Sequence, residues 1–103
     1  MVKTYPVVEA APGSTRQVLS DSPDLMMVRF TFDTGAEGAL HNHSHVQSTY
    51  VHSGRFRFTI GEESFEVGPG DSFVIPSNAV HGCRCLEAGA LIDSFTPRRD
   101  DFL

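Results

Sequence analysis

Three features of this sequence predict an all-β fold: short runs that alternate apolar with polar residues, turn-forming Gly and Pro between them, and no long stretch with helical period. Met27-Val28-Arg29-Phe30-Thr31-Phe32 alternates, and Arg55-Phe56-Arg57-Phe58-Thr59-Ile60 does so more cleanly. Successive side chains of a strand point to opposite faces, so both runs read as strands with one face on the core. Gly61-Glu62 offers a two-residue hairpin turn with glycine in the first central position, pairing the second run with Ser64-Phe65-Glu66-Val67. Gly68-Pro69-Gly70-Asp71 makes the next turn, and the apolar run Phe73-Val74-Ile75 stops at Pro76, which cannot donate to a ladder. Leu91-Ile92-Asp93-Ser94-Phe95 reads as the last strand, with Thr96-Pro97 capping a short terminal helical turn. Ala11-Pro12-Gly13-Ser14 reads as a loop, and the first thirty or so residues as a barrel edge. Short strands with frequent turns imply a closed sandwich or barrel.

A chain of 103 residues, 40% of them hydrophobic, fills a single core, so residues 1–103 are expected to form one domain. The net charge of -5 argues against nucleic-acid binding, which calls for a basic face. No window resembles a membrane span, and Met1-Val2-Lys3-Thr4-Tyr5-Pro6 lacks the apolar core of a secretory signal, which makes the cytoplasm the expected location. Cys83 and Cys85 lie two apart on one expected strand, a poor geometry for a mutual disulfide. They read as reduced core thiols that share the parity of His81, which leaves open a role as an extra ligand.

The chemistry concentrates in the spacing Gly35-x5-His41-x-His43-x3-Gln47-x6-Gly54, followed by Gly70-x5-Pro76-x4-His81. His41 and His43, two apart on an extended segment, can present two imidazoles to one point. Gln47 after a bend and His81 after a hairpin complete a candidate set of metal ligands gathered from separate strands. Of the remaining histidines, His45 shares the ligands' parity but falls in the bend and is expected to be exposed, and His52 is expected to pack or face solvent. Arg55 and Arg57 share one face of their strand, either toward solvent or drawing an anion to the barrel mouth.

This doubly spaced pattern resembles the two motifs of the cupin superfamily, at residues 35–54 and 70–85, and implies a small double-stranded β-helix, or jelly-roll barrel. Cupins usually hold a divalent metal through three histidines and a glutamate. Gln47 stands where the family usually has glutamate, and Asn78 and Cys85 where the second motif often has glycine and asparagine. Four neutral ligands leave the full dipositive charge on an ion, which favours polarisation of a bound oxygen over redox chemistry. The resemblance implies one divalent ion, nickel, zinc, manganese or iron.

The C-terminal run Asp93-Ser94-Phe95-Thr96-Pro97-Arg98-Arg99-Asp100-Asp101-Phe102 resembles the ending Asp-x-Phe-x-Pro-x-Arg-x-Asp-Phe of the single-domain KdgF-type cupins of pectin and alginate breakdown. In that group the metal is held by three histidines and a glutamine, which makes Gln47 a match. The resemblance runs from Gly35 to the end of the chain, roughly two thirds of it. It implies ketonisation of 4,5-unsaturated monouronates to the linear keto acid 4-deoxy-L-threo-5-hexosulose uronate. In that reading Asp93 shuttles the proton, Phe95 shapes the wall against the sugar and Arg99 grips its carboxylate. The implied partner is a small anionic sugar, with neither nucleic acid nor membrane, and the implied assembly is a homodimer. The competing readings are a metal-dependent cupin dioxygenase and a non-catalytic sugar-binding cupin.

Overall fold

Eight strands and one 3-10 turn make up the protein in a computed structural model that describes residues 2–103. They are β1 (Val7–Ala11), β2 (Ser14–Ser22), β3 (Leu25–Phe32), β4 (Glu37–His41), β5 (Val46–Ile60), β6 (Glu63–Val67), β7 (Ser72–Ile75) and β8 (His81–Thr96), with the 3-10 turn at Asp100–Phe102. The turns follow the sequence. Gly61 takes a positive φ of 58° at the first of two hairpin positions, joining Ile60 to Glu63, as a tight primed turn requires. Pro76 follows the last residue of β7.

Three expectations are corrected. Residues 11–14 are not all loop, because Ala11 and Ser14 pair and only Pro12-Gly13 turns, with Gly13 at φ 76°. Proline first and left-handed glycine second are the residues of a type II turn. The C-terminal turn does not start at Pro97; Arg99 is its N-cap, and the chain from Pro97 to Arg99 is extended or bent. The sheet is also not closed by hydrogen bonds: its strand path ends at β1 and β6, with β4 and β7 added beside β8 and β5.

What makes two layers from this sheet is the length of β5 and β8, fifteen and sixteen residues. The early part of β5 pairs with β7 and with the late part of β8, which in turn pairs with β3. The late part of β5 pairs with β6 and with the early part of β8, which pairs with β4. Each strand therefore serves both layers and bends between them, the jelly-roll arrangement.

The bend lies where Gly54 meets Gly89. A Cβ on Gly89 would stand 2.1 Å from the Ser53 carbonyl oxygen, and one on Gly54 would stand 2.4 Å from that of Glu87. Pairing passes from Val51 opposite Leu91 to Phe56 opposite Cys85, so β5 advances one residue fewer than β8 across the irregular stretch. One residue of slip exchanges the faces of a strand. On β5 this turns Gln47, Thr49 and Val51 inward before the bend and Phe56 and Phe58 inward after it. The core packs as two groups, one around Phe32, Phe56, Phe58 and Leu91, the other around Val18, Met26, Val28 and Phe95.

Gly89→Ala should cost at least about 3 kcal/mol in denaturant unfolding, because the added methyl would overlap the Ser53–Gly54 backbone. Gly61→Ala meets nothing within 4 Å and should cost only the left-handed penalty of about 1 kcal/mol. Equal losses would mean that the crossing is not the tight point of the fold.

Candidate metal centre

His41 closes β4 and His81 opens β8, and the two are cross-strand partners with ring centroids 4.3 Å apart. His43 lies beyond the end of β4, so the pair does not share one regular strand as the spacing suggested. Its ring still comes within 5.6 Å of His41 and 4.9 Å of His81. One ligand nitrogen from each of the three lies within 4.8 Å of the others. The segment holding His43 is fixed from outside, since the Asn78 N–H donates to the His43 carbonyl at 2.7 Å and the Ser77 hydroxyl donates to the Ser44 carbonyl at 2.6 Å.

Hydrogen bonding sets the tautomer of all three rings. Nδ1 of His41, His43 and His81 meets the carbonyl oxygen of Ala39, His45 and Ala79 at 2.7, 3.0 and 2.9 Å. A carbonyl only accepts, so each Nδ1 carries the proton and each neutral ring keeps its Nε2 lone pair free. Burial also holds the pKa of His43 and His81 below the ordinary histidine value, which favours the neutral, ligating form.

Gln47 joins the cluster from the start of β5, its Oε1 3.1 Å from His43 Nε2. Its other end is held. Gln47 Nε2 donates to the Thr49 hydroxyl at 3.0 Å, and that hydroxyl donates to Asp93 Oδ1 at 2.7 Å. The amide oxygen is thereby turned toward the histidines, where two lone pairs face one another. A cation accepting both would relieve that contact. Three free imidazole nitrogens and an amide oxygen aimed at one region suit a divalent ion.

Asp93 is buried on β8 opposite Val28 and Thr49. Burial pushes its carboxyl up to about 7, against the hydrogen bonds of Thr49 and Gln47 and the charge of Arg99, which pull it down. With His41, Gln47, His81 and Arg99 it lines a cavity of about 340 Å³. Phe95, also buried there, meets His43 edge-on at 5.8 Å. Arg99 stacks on Phe102 at 4.3 Å and lies 5.2 Å from the Phe95 centroid. Its Nε and Nη2 donate to the two carboxylate oxygens of Asp101 at 3.0 and 2.9 Å, so that edge of the fork has a partner within the chain.

Other candidates separate cleanly. His45 is half-buried rather than exposed, 5.3 Å from His43 and 6.4 Å from Phe95, while His52 is exposed. Arg55 and Arg57 are exposed on the face of β5 opposite Phe56 and Phe58, and Arg55 lies 3.9 Å from Glu66. Neither lines the cavity. Cys85 belongs to the core, whereas Cys83 lines the cavity as a free thiol. Burial pushes the Cys83 pKa up to about 12, and its sulfur is not among the atoms clustered with the three histidines. Thr49 had no place in the sequence reading. It shares the inward parity of Gln47 at two residues' distance, and that was the available signal.

The sequence profile of the cupin domain family matches residues 28–92. The chain belongs to the cupins. Within them it is 41% identical to the pectin degradation protein KdgF of Dickeya dadantii over 100 residues, 95% of this chain and 91% of that one. The solved structure of KdgF from a Halomonas species superimposes with a TM-score of 0.92 at 37% identity, covering the whole of both chains. An RmlC-like cupin from Shewanella frigidimarina does so at 0.92 and 38% identity, over 96% of this chain and 89% of that one. One departure from the cupin motifs is explained locally: Asn78, where glycine is frequent, holds φ 65°, a left-handed conformation that asparagine tolerates. Among the described residues no helix is long and apolar enough to cross a membrane.

The metal assignment predicts that His81→Ala loses stoichiometric binding of a divalent ion, whereas His52→Ala keeps it. Thr49→Val, close in shape, should weaken binding about 10- to 100-fold by freeing the Gln47 amide. Calorimetric titration after chelation checks both, and parent-like affinity in His81→Ala would remove that residue from the ligand set. For Cys83, an aromatic disulfide reagent at pH 8 should react far more slowly than with a free thiol until the protein unfolds.

Proposed function

We propose that this protein ketonises 4,5-unsaturated monouronates, the sugars left when lyases cut pectin or alginate, to 4-deoxy-L-threo-5-hexosulose uronate. The observation that carries the reading is the buried chain Asp93–Thr49–Gln47, which links a carboxyl to a candidate metal ligand inside a cavity large enough for one sugar ring. Likeness to KdgF proteins over nearly the whole chain supports the substrate class.

The substrate is a cyclic enol ether whose carbon 5 bears the carboxylate and the ring oxygen. Its conversion needs a proton at carbon 4, water at carbon 5, and opening of the resulting hemiketal to the ketone. All are acid–base steps without net electron transfer. A divalent ion held by His41, His43, Gln47 and His81 would supply Lewis acidity toward a sugar oxygen.

Asp93 is the proton donor in this scheme. Its raised pKa keeps the carboxyl protonated closer to neutral pH than an exposed aspartate. Thr49 and Gln47 fix its orientation and stabilise the carboxylate left after transfer. Phe95, buried beside His43, forms the wall against which the ring lies. Arg99 turns its Nη1 donors to the sugar, since Nε and Nη2 are engaged by Asp101.

Incubating the metal-loaded protein with unsaturated galacturonate and following the loss of the conjugated chromophore above the spontaneous rate tests the reading. Binding without turnover would instead make the protein a sugar-binding cupin, and oxygen uptake with iron would make it a dioxygenase. Asp93→Asn should lower kcat by about 10²–10⁴ with metal affinity nearly unchanged. Full activity in that variant would transfer the proton donor's role elsewhere.

A further inference from the structure

Arg16 faces inward from β2 and lines the same cavity as His41, His81 and Asp93. It differs from Arg99 in one respect. Among the described residues no carboxylate lies within ion-pair distance of it, and its buried Nε has no hydrogen-bond partner. Its guanidinium rests 4.4 Å from the centroid of Phe102, the ring on which Arg99 also stacks. A guanidinium cannot shed its charge, so this half-buried cation stays charged without an internal counter-ion. The two acidic groups that line the cavity, Glu37 and Asp93, and Asp101 beside it do not meet the need. Glu37 pairs with Arg84, Asp101 with Arg99, and Asp93 is hydrogen-bonded to Thr49.

We infer that Arg16 binds the carboxylate of the sugar, a role the sequence pattern had given to Arg99. The inference rests on the uronate reading above and specifies how that substrate lies. The carboxylate end sits by Arg16 and Phe102, and the rest of the ring extends toward Asp93 and the histidines. Because the carboxylate is carried on carbon 5, a fixed carboxylate also fixes the double bond beside it, so Arg16 selects the acid and sets the reacting carbons in place. Phe102 holds the guanidinium plane while leaving its N–H edges free.

The test uses saturated galacturonate and its methyl ester, which bind without reacting, titrated into metal-loaded protein. The parent should prefer the acid about 10- to 100-fold, the worth of a charge-assisted hydrogen bond. Arg16→Met keeps the apolar stem without the charge and should abolish that preference by weakening acid binding alone, while Arg16→Lys retains part of it. Arg16→Gln takes the place of Arg16→Met if the latter does not fold. Equal weakening of acid and ester would assign Arg16 a purely structural role and overturn the inference, as would a parent that discriminates less than about threefold. Turnover of unsaturated galacturonate by the parent, followed alongside, separates the two readings. Turnover with an acid preference indifferent to Arg16 refutes only the inference, and an Arg16-dependent acid preference without turnover refutes only the ketonisation.

Discussion

Two glycines in backbone contact, Gly54 on β5 and Gly89 on β8, hold the rest of the structure in place. Without side chains at that crossing, two strands of fifteen and sixteen residues can bend together and supply both layers of the barrel. The unequal advance of the two strands across the bend then decides which β5 side chains face inward. Had the strands stayed in register, either Gln47 and Thr49 or Phe56 and Phe58 would face solvent. The polar site and the aromatic core therefore depend on the same irregularity. A bulge next to a functional site is a common way to re-aim a strand, and here it orients the candidate site and the aromatic core together.

The site is assembled by pairing as much as by sequence proximity. His41 and His81 are cross-strand partners of β4 and β8, and Thr49 and Asp93 are cross-strand partners of β5 and β8. β8 thus carries both a candidate ligand at its start and the buried carboxyl near its end, on opposite sides of the bend. Thr49 and Gln47, two apart on the inward face of β5, span the space between the carboxyl and the histidines. Sheet hydrogen bonding fixes the backbones of these strand residues, and the Gln47–Thr49–Asp93 hydrogen bonds fix the side chains that join them.

The turns and the alternating strands were legible because Gly61-Glu62, Gly68-Pro69-Gly70-Asp71 and Pro76 act locally, through φ and a missing N–H. The continuity of β5 and β8 was not. A glycine inside an apolar alternation reads as an end of strand, and only the partner glycine on another strand reveals a crossing. The same division holds in the candidate site. Histidine spacing pointed to a cluster that the fold does bring together, although His43 reaches it from an irregular segment rather than a strand. Thr49 escaped notice because its role exists only through neighbours on both sides, one of them 44 residues away. Arg99 was read from the sequence as the carboxylate clamp, and its two-residue pairing with Asp101 emerged only with the terminal turn.

The glutamine at position 47 follows from this hydrogen-bond chain as well as from charge. An amide has one end that accepts and one that donates, so Gln47 can turn its oxygen to the histidines while its Nε2 donates to Thr49. With its lone pair so occupied, the Thr49 hydroxyl gives its own proton to Asp93. A glutamate carboxylate has no N–H to offer. Once Asp93 ionises, Thr49 would face an acceptor on each side with one proton to share, and either the carboxylate at 47 or Asp93 would lose its donor. A second negative charge beside Asp93 would also make that carboxyl harder to ionise. Glutamine thus keeps a chain whose donors all run one way, from Gln47 Nε2 through the Thr49 hydroxyl to Asp93, and leaves Asp93 as the acidic side chain of that chain.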